Sequence, residues 1–473
     1  MTSDGQLPIV IVGGGAAGTL VAVNLLRRSA ARPVVMIERG PRVSRGVAYG
    51  TTFPDHLLNV VAANMGGLAG DPNHFRTWLA SRGTPARATS FMPRSTFGDY
   101  LQHLLDGAVL QAPTGAFELV RGEVVGVDAG EAGSIVQLAD GGSLEAAAIV
   151  LATGVLSPRD APLAEGGWPH DSPLYAPDPW AEGALERLAP GDDLLLVGSG
   201  LTMVDIALRL IDLRPQARLE SVSRTGLLPQ PHRWPGQRHP LADFRLPPPG
   251  TPLRALRAAF DEASAASYAQ GGDWRDAINA VRPYTQDIWK GLSLDEQRRF
   301  LHTYRRYWDI HRHRMAPAVA AWIGSLREDG QLRTGAGHIE RVAEAGGSLR
   351  VAIRRRDGQL DEREFAAAVN CTGPAGSVVG AGSPLYDSLL TAGLARPHPL
   401  GLGLDTAATG ALYDESGKLS TSLFTLGWLR RGELWESVAI PEIRAQAADI
   451  AFMLTVRARS PASTPAPSGE PDL

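Results

Sequence analysis

The chain has 473 residues, a formal net charge of −4 at pH 7, 44% hydrophobic residues and one cysteine. This length allows two to three domains with an ample core, and the slightly negative charge carries no footprint of nucleic-acid binding. A single cysteine excludes a disulfide framework, a CxxC redox pair and a thiolate metal cluster, so we predict no metal site. The first strand pattern starts near the N-terminus and no apolar run reaches the roughly 18 residues of a membrane span, so we expect a cytoplasmic protein without a signal peptide or membrane partner.

A strand–turn–helix pattern near the N-terminus predicts a dinucleotide-binding unit. Apolar residues 9–12 indicate a buried strand, which runs into Gly13, Gly15 and Gly18, spaced as G-x-G-x-x-G, and then into a helical pattern. Gly13 permits the tight turn, Gly15 lets a pyrophosphate approach the backbone, and Gly18 lets helix and strand pack closely. A pyrophosphate bound here lies at the helix N-terminus, where free N–H groups and the helix dipole favour negative charge.

The acid at the end of the next strand indicates which nucleotide binds. Apolar residues 34–37 are followed by Glu38, about 20 residues after Gly18, where a carboxylate accepts hydrogen bonds from an adenosine ribose. A free ribose hydroxyl belongs to FAD or NAD rather than to NADP. We therefore predict one of these two cofactors at the first unit.

The polar, glycine-rich stretch after Glu38 is expected near the ligand, because such excursions lie at the carboxyl end of a nucleotide-binding sheet. It contains His56 and Asn59, for which turn and capping roles are an equal alternative. A helical pattern follows from about Arg94. This arginine either approaches a phosphate or is a solvated helix-start residue.

Three strands and a linker are predicted next. The last strand ends in Thr153 and Gly154, where a glycine lets the chain pass close to a bound cofactor. The proline-rich stretch 157–179 reads as a linker. The strands are predicted at 117–128, 135–138 and 144–151.

The opening pattern then starts again, which predicts a second nucleotide site. Apolar residues 194–197 precede Gly198, Gly200 and a helix, although Met203 occupies the third glycine position. The next strand ends in Ser223-Arg224 instead of an acid. An arginine without a carboxylate suits a ribose 2′-phosphate and predicts NADPH, whereas the alternative is a surface arginine beside a turn.

From residue 252 to about 326 the pattern is helical and carries a dense basic cluster at 305–314. Two interpretations stay open: a solvated basic face, or an anion site for a cofactor phosphate or an acidic substrate. On the second interpretation the substrate candidates are Arg305, His311 and Arg314.

A second set of three strands, at 332–342, 349–355 and 364–369, ends in Thr372 and Gly373 and mirrors the first. Between strand and glycine lies Cys371, which we interpret as a buried packing residue rather than a nucleophile.

A last strand–helix pair is expected to close the first sheet. The strand is predicted at 422–426 and the helix at 440–454, with Gly427, Glu436 and Ser437 between them. This helix would aim its N-terminus at the N1–C2=O edge of a reduced flavin, where negative charge accumulates.

The duplicated pattern predicts an α/β fold with two Rossmann-like dinucleotide-binding domains, for FAD and NAD(P), that carry β-meanders and a helical insertion. The predicted boundaries are 1–156 and 370–458 for the FAD domain, 190–239 and 331–369 for the NAD(P) domain, 240–330 for the insertion and 459–473 for a disordered tail.

Several stretches together resemble the FAD/NAD(P)-binding protein family with two Rossmann domains, which is similar to class B flavin monooxygenases and amine N-hydroxylases. The segment Phe91 to Leu101 looks like the corresponding N-hydroxylase segment. The broader group includes a relative that oxidises the amino group of aspartate, which would give the basic cluster an acidic substrate. The resembling stretches are GGGAAG (13–18), GVAYGTTFPDHLLNV (46–60), GSGLTMVD (198–205), SRTGLLPQPH (223–232), YWDIHRHRMAP (307–317), NCTGP (370–374) and ELWESVAIPEIRAQA (433–447).

The resemblance implies an NADPH-driven, FAD-dependent monooxygenase that acts on a small molecule and molecular oxygen, with N-hydroxylation of an amine or an acidic amino acid through a C4a-peroxyflavin as the candidate reaction. Asn59 is the leading catalytic candidate and His56 the second. A flavin-dependent reductase without oxygen insertion and a non-catalytic flavin-binding module are the alternatives. The predicted cofactor-binding residues are Gly13, Gly15, Ala16, Ala17, Gly18, Glu38, Arg39, Tyr49, Leu58, Asn59, Met65, Arg94, Val125, Thr153, Gly154, Gly198, Gly200, Leu201, Thr202, Ser223, Arg224, Thr372, Gly373, Gly427, Glu436 and Ser437.

Overall fold

Strands and helices alternate through most of the chain, as the apolar patterns predict. The structure is a computed structural model that describes residues 6–29, 32–129, 133–234, 244–245 and 247–459. The predicted disordered tail, apart from its first residue, lies outside the described residues, and so does the predicted boundary at 239/240. Among the helices described, none is both long and apolar enough to cross a lipid bilayer.

The N-terminal part contains short buried strands, the helices that connect them and a small antiparallel sheet. Its elements are β1 (Ile9–Val12), α1 (Ala16–Arg27), β2 (Val34–Glu38), α2 (Gly46–Tyr49), α3 (His74–Ser81), α4 (Arg94–Gln111), β3 (Phe117–Arg121), β4 (Val124–Ala129), β5 (Ser134–Leu138), β6 (Ser143–Ala146) and β7 (Ala148–Leu151), with a 3₁₀ turn at Ala62–Asn64.

The rest of the chain repeats this succession around a group of helices. Its elements are β8 (Tyr175–Ala176), β9 (Asp193–Val197), α5 (Leu201–Leu213), β10 (Arg218–Ser223), α6 (Leu253–Ala269), α7 (Trp274–Val281), α8 (Thr285–Gly291), α9 (Leu294–Thr303), α10 (Arg305–Arg312), α11 (Pro317–Glu328), β11 (Leu332–Ala345), β12 (Ser348–Arg355), β13 (Leu360–Phe365), β14 (Ala367–Asn370), α12 (Pro384–Thr391), β15 (Ala411–Tyr413), β16 (Leu419–Thr425), α13 (Arg431–Leu434) and α14 (Ile440–Arg459), with 3₁₀ turns at Arg282–Tyr284 and Gly427–Arg430.

The first sheet has the strand order β15-β16-β7-β1-β2-β3. All its neighbours are parallel except β15 and β16. Strand β16 pairs with β7 in the register Leu423 to Ile149, so the C-terminal segment closes the first sheet as predicted. Helix α14 then packs on the same apolar core as α1, through residues such as Ile450 and Leu20.

The second sheet has the order β13-β12-β11-β10-β9-β14-β8. Its parallel strands β11, β10, β9 and β14 correspond to β3, β2, β1 and β7 of the first sheet. In both units a long excursion separates the second strand from the third and ends in a crossover helix, which is α4 in the first unit and α11 in the second. Val319, Ile323 and Leu326 of α11 lie in the core under this sheet. The predicted insertion range 240–330 is therefore too long at its C-terminal end, because only α6–α10 stand apart from the sheet.

Three predicted strands are each divided in the structure. The ranges 117–128, 144–151 and 364–369 each pass between an antiparallel meander and a parallel sheet. Because the two kinds of strand run in different directions, the chain must bend at the crossing. It does so at Ala147 and Ala366, and over residues 122–123.

The predicted linker 157–179 also contributes to the second unit. Strand β8 pairs with β14 at the edge of the second sheet, and Trp168 stacks on Tyr175 with ring centroids 4.6 Å apart in a buried core. The proline content correctly indicates the absence of long elements. The linker interpretation is nevertheless wrong for these aromatic residues, because they fill the space beside the sheet.

A buried ion pair joins the two units. Arg94, at the start of α4, donates from Nη2 to the Asp205 carboxylate on α5 at 2.8 Å. The backbone carbonyl of Asp205 also accepts from His56 Nε2 at 2.9 Å, and Thr51 Oγ1 lies 2.7 Å from His56 Nδ1. Burial lowers the pKa of His56, against the opposing Asp205 carboxylate, which fits a neutral ring with both nitrogens engaged. The excursion of the first unit is thus anchored to a helix of the second.

Asp205→Ala should destabilise the protein, because it leaves Arg94 without its carboxylate partner where only 16% of the arginine side chain is exposed. We expect the free energy of unfolding, measured by urea denaturation, to fall by about 3 kcal/mol. The matched control is Asp212→Ala, which removes a more exposed partner of Arg209 on the same helix and should change stability by less than about 0.5 kcal/mol. Equal effects of the two substitutions would contradict the anchoring role of Asp205.

Candidate functional site

The glycine turn after β1 is set by two very close backbone approaches. Gly13 has a φ of +102°, and a Cβ added there would lie 2.5 Å from the Ala152 carbonyl oxygen at the end of β7. A Cβ at Gly18 would lie 1.9 Å from the Gly13 carbonyl oxygen, so α1 and β1 can pack only through a glycine. Gly15 is the N-cap of α1, and its missing side chain points towards Gly46 at an ordinary contact distance of 3.6 Å. The turn therefore has the geometry that a pyrophosphate site requires.

Glu38 is held over this turn by backbone N–H groups. Its carboxylate accepts from the Gly14 N–H at 2.7 Å and from the Gly40 N–H at 2.6 Å. Each carboxylate oxygen retains a lone pair that can accept from a ribose hydroxyl. The neighbouring Arg39 is different, because its exposed side chain pairs with Glu123 at 3.1 Å. The predicted cofactor contact of Arg39 is not supported by this geometry.

The second turn repeats the first in detail. Gly198 has a φ of +121°, and a Cβ added there would lie 2.4 Å from the Cys371 carbonyl oxygen at the end of β14. Gly200 is the N-cap of α5 and has no neighbouring atom within 4 Å of its missing Cβ among the described residues. Met203, at the third glycine position, is fully buried in the core under the second sheet. The glycine motif at 198–203 therefore forms the same turn although it lacks the third glycine, and the Met203 side chain packs in the core.

Two arginines lie near the end of β10, where a ribose 2′-phosphate is predicted to bind. Arg224 is exposed and makes no side-chain hydrogen bond to the described part of the chain. Arg356, in the turn after β12, donates to the Thr225 carbonyl oxygen at 3.4 Å and so brings a second guanidinium to this turn. Ser223 Oγ is already engaged with Ser199 Oγ at 2.7 Å and accepts from the Gly226 N–H at 2.9 Å. Sequence reasoning missed Arg356, because only the pairing of β11 with both β10 and β12 brings it close.

Arg224→Ala and Arg356→Ala should each weaken NADPH binding about tenfold, because each removes a charge-assisted contact to a 2′-phosphate. NADH, which lacks that phosphate, should bind the variants and the native protein alike. The control is Arg350→Ala, an exposed arginine on β12 away from the turn. Dissociation constants from fluorescence titration test this, and equal losses for both nucleotides would contradict a phosphate contact.

The carboxyl ends of β7 and β16 bring further predicted residues to the first site. Gly154 has a φ of +77° and open space at its Cβ position, and Thr153 Oγ1 lies 2.5 Å from the Tyr386 hydroxyl. The Gly427 carbonyl accepts from Ser437 Oγ at 2.7 Å, which holds the loop before α14 against the end of β16. The N-terminus of α14 therefore faces the same edge of the sheet as the glycine turn.

The remaining cofactor candidates occupy varied positions. Ala16 and Ala17 form the first turn of α1, and Leu201 and Thr202 form the first turn of α5. Tyr49 packs on Phe97 with ring centroids 4.8 Å apart, and Leu58 and Met65 are buried in the first core. Val125 lies at a bulge in β4. Thr372 and Gly373 follow β14, and Gly373 has a φ of +81°.

Two residues predicted to contact the cofactor make protein contacts. Glu436 accepts from Arg312 Nη2 at 2.6 Å through one carboxylate oxygen and from Trp308 Nε1 at 3.1 Å through the other. Arg94 is committed to Asp205 and to the Leu57 carbonyl oxygen, which is 3.1 Å from its Nε. Neither contact uses all the hydrogen-bonding capacity of its side chain, so the cofactor roles of Glu436 and Arg94 stay predictions.

The two catalytic candidates differ in their surroundings. His56 is buried with both ring nitrogens engaged, so it is a positioning residue that contacts no open site. Asn59 is exposed where the first excursion meets the loop after β10, and its carbonyl oxygen accepts from His232 Nε2 at 3.0 Å. Burial and the Arg314 guanidinium lower the pKa of His232 to about 3, so this histidine is neutral at pH 7. Its hydrogen bond fixes the backbone of Asn59 and leaves the amide side chain available.

The basic cluster is not one anion site. Arg305 pairs with Asp309 at 3.2 Å, while Arg314 is buried and donates to Asn279 Oδ1 at 2.6 Å. Burial and then neighbouring arginines lower the pKa of Arg314 to about 10, which leaves it charged at pH 7. His311 instead faces Trp274, with ring centroids 4.6 Å apart. Arg314 Cζ also lies 5.9 Å from the Trp274 ring centroid, so His311 and Arg314 meet at this indole, whereas Arg305 is paired with Asp309.

A cavity of about 590 Å³ lies inside the helical insertion and reaches the loop before α14. His311 is its only lining residue that the sequence singled out as a substrate candidate. The aromatic spacing of 300–308 was visible in the sequence, but the enclosure of the cavity by α6–α10 was not. The cavity is lined by Phe244, Leu253, Leu256, Arg257, Phe260, Asp261, Trp274, Ile278, Val281, Thr285, Ile288, Trp289, Leu292, Phe300, Tyr304, Tyr307, Trp308, His311 and Trp435.

Comparison with known proteins supports this arrangement. Residues 10–156 match the model of a family described as FAD-NAD(P)-binding, so the first unit contains an FAD/NAD(P)-binding domain, as predicted. A comparison with curated proteins gave no significant match.

Solved structures share the fold over almost the whole chain. The reduced ornithine hydroxylase PvdA from Pseudomonas aeruginosa has a TM-score of 0.64 at 15% identity, covering 95% of this chain and 99% of that one. L-lysine 6-monooxygenase from Pseudomonas syringae has a TM-score of 0.62 at 18% identity, covering 96% and 100%. The ornithine N-hydroxylase KtzI from Kutzneria sp. 744 has a TM-score of 0.61 at 17% identity, covering 96% and 99%. The predicted fold of two Rossmann-like units is confirmed.

Proposed function

We propose that the protein is an FAD-dependent, NADPH-driven monooxygenase that hydroxylates the nitrogen of a small amine. The observation that carries this proposal is the duplicated turn, in which Gly13 meets Ala152 and Gly198 meets Cys371 with the same close backbone approach. Two such turns in one chain supply two dinucleotide sites, one for a flavin and one for its reductant. The named activities of the ornithine and lysine hydroxylases that share the fold support the choice of an amine.

The residues of the first unit fit FAD. The turn leaves no room for side chains at Gly13 and Gly18, and the Glu38 carboxylate can accept a hydrogen bond from a ribose hydroxyl. The N-terminus of α14 and the loop fixed by Ser437 border the same edge of the sheet. A helix N-terminus there stabilises negative charge on a reduced flavin.

The residues of the second unit fit NADPH. Gly200 leaves the N-terminus of α5 open, and Arg224 and Arg356 stand at the end of β10, where a ribose 2′-phosphate is read. Met203 does not obstruct the turn, because its side chain lies in the core.

NADPH held at the second turn would supply a hydride, and FAD held at the first turn would supply the oxygen chemistry. The protein orients the two cofactors, and the Asp205–Arg94 pair holds the two units in one relative position. The Arg312–Glu436 pair, at 2.6 Å, attaches the insertion to the loop before α14, beside the edge where the flavin would bind. Asn59, exposed between the units, is the side chain we assign to hydrogen bonding at that edge.

The pairing of the basic cluster bears on whether the substrate is a simple amine or an acidic amino acid. Arg312 is neutralised by Glu436, and Arg305 is neutralised by Asp309. Arg314 has no carboxylate partner among the described residues: its Nη2 donates to Asn279 Oδ1 at 2.6 Å, but its buried Nε has no partner, so this is the cation of the cluster that could receive a substrate carboxylate.

Reductases share this fold too, with TM-scores of 0.50 to 0.55 that lie below those of the hydroxylases, 0.61 to 0.64. Cys371 is buried, and burial raises the pKa of its thiol above the usual range, so it is neither exposed nor activated. A reductase of this fold would therefore depend on direct transfer to an organic acceptor.

The proposal is tested in two steps on the FAD-containing protein. Anaerobic mixing with NADPH should bleach the flavin absorbance, and later addition of ¹⁸O₂ with a panel of amines should yield a product that contains one ¹⁸O atom. Flavin bleaching with turnover of a quinone but no labelled amine product would favour the reductase. Failure of NADPH to bleach the flavin would favour the non-catalytic module.

Asn59→Ala should increase the share of NADPH oxidation that ends as free hydrogen peroxide, because an amide that holds the reacting edge is lost. We expect uncoupled peroxide release to rise several-fold while the rate of flavin reduction stays unchanged. The control is Asn64→Ala, an exposed asparagine of the same excursion. Unchanged coupling in Asn59→Ala would remove Asn59 from the mechanism.

A further inference from the structure

Five arginines lie close together where the insertion meets the loop after β10, and four of them are paired with carboxylates. The fifth is Arg314, which has no carboxylate within ion-pair distance among the described residues. The five arginines and their four carboxylates therefore leave one positive charge unbalanced. The pairs are Arg233 with Asp273 at 2.8 Å and with Asp276, Arg275 with Asp273 at 3.0 Å, Arg282 with Glu442 at 3.6 Å and Arg312 with Glu436 at 2.6 Å.

The guanidinium of Arg314 is buried but keeps one open donor group. The residue is 6% exposed, its Nη2 donates to Asn279 Oδ1 at 2.6 Å, and its Nε is enclosed by the protein without a partner. Nη1 makes no hydrogen bond to the part of the chain that the structure describes and, unlike Nε, it is not enclosed. A ligand can therefore reach this cation through Nη1.

Arg314 stays charged in spite of its burial. Burial and then the four neighbouring arginines lower the pKa of Arg314 to about 10, so the guanidinium is a cation at pH 7. A buried charge without a counter-ion is unfavourable, and each neighbouring arginine raises the positive potential around it. An anion supplied from outside the chain would relieve this cost.

Arg314 is separated from Asn59 by a single histidine. The carbonyl of Met315, the next residue, accepts from the His232 N–H at 2.9 Å, and His232 Nε2 donates to the Asn59 carbonyl oxygen at 3.0 Å. After burial, the Arg314 guanidinium is the strongest influence that lowers the pKa of His232, because the two groups are close together. An anion bound at Arg314 would thus lie near the side chain that we assign to the reacting edge.

The predicted phosphate positions of both cofactors lie elsewhere. The pyrophosphates are expected at the N-termini of α1 and α5, and a ribose 2′-phosphate at Arg224 and Arg356. One unbalanced charge and one open N–H₂ group match a carboxylate, whereas a phosphate dianion would need further donors. The anion that fits Arg314 is therefore a carboxylate on another molecule.

We infer that the amine substrate carries a carboxylate, and that Arg314 Nη1 binds this carboxylate beside Asn59. Arg314 is then a substrate-binding residue that selects amino acids over simple amines. The identification of the ligand as substrate rests on the proposed monooxygenase function. Recognition of the carboxylate needs neither NADPH nor oxygen, so the two can be tested apart.

The experiment compares amino acids with amines that lack one carboxylate, on the full-length, FAD-containing protein. The probe pairs are L-alanine and ethylamine, L-phenylalanine and 2-phenylethylamine, L-ornithine and putrescine, and L-aspartate and β-alanine. Isothermal titration calorimetry, with and without NADP⁺, measures each dissociation constant. We expect the amino acid of at least one pair to bind about tenfold to a hundredfold more tightly than its amine, as a charge-assisted hydrogen bond allows.

Arg314→Gln should reduce this preference about tenfold or more and leave the dissociation constant of the matching amine unchanged. Arg305→Gln is the matched control, because Arg305 already pairs with Asp309, and it should keep the preference. Asn279→Asp is the second variant, because it puts a carboxylate in place of the amide oxygen that lies 2.6 Å from Arg314 Nη2. This internal anion balances the charge of Arg314, so it should reduce the preference as well.

Three results would overturn the inference: no amino acid that binds more tightly than its amine, tighter Arg314-dependent binding of inorganic phosphate than of any amino acid, or a preference that survives Arg314→Gln. If Arg314→Gln does not fold, Asn279→Asp decides the last point. The ¹⁸O₂ assay is run on the same samples. Labelled product without a carboxylate preference would refute this inference alone, whereas an Arg314-dependent preference without labelled product would refute the proposed function alone.

Discussion

The constraint on which both nucleotide sites depend is a contact between backbones. At each turn a glycine in a left-handed conformation passes close to the carbonyl that follows β7 or β14. No Cβ fits there, because it would lie 2.5 Å from that oxygen at Gly13 and 2.4 Å at Gly198. This approach brings the carboxyl ends of the first and fourth strands together and leaves the following helix N-terminus open. A phosphate site results because the chain cannot fill that space.

The two nucleotide sites can work together only if the two units keep a fixed relative position. The Arg94–Asp205 pair and the His56 hydrogen bond join the first excursion to α5, while the Arg312–Glu436 pair joins the insertion to the loop before α14. In each case a residue type suited to a cofactor phosphate or flavin also joins two elements. Because the paired charges are largely buried, removal of one partner leaves the other without solvation, which makes these contacts strong constraints on domain position.

The helical insertion adds an aromatic cavity to the two nucleotide-binding units. Its helices meet through aromatic residues around a cavity, and several of their charged residues are paired, such as Arg257 with Asp261 and Arg312 with Glu436. Arginines of the basic cluster at 305–314, which the sequence suggested as an anion site, therefore form ion pairs within the protein. The aromatic walls give the insertion a cavity of about 590 Å³, within the size range of small-molecule sites.

The sequence by itself determined the repeated units, the roles of Gly13, Gly18 and Glu38, and the return of the last strand to the first sheet, because these follow from local periodicity and from glycine chemistry. Tertiary structure alone decided the partners of Arg94, Glu436 and His56, which depend on residues more than a hundred positions away. It also decided the strand breaks, where the chain changes sheets, and the approach of Arg356 to the β10 turn. Spacing shows which groups can form an ion pair or hydrogen bond, but only the packed chain determines which partner is nearest and least exposed to water.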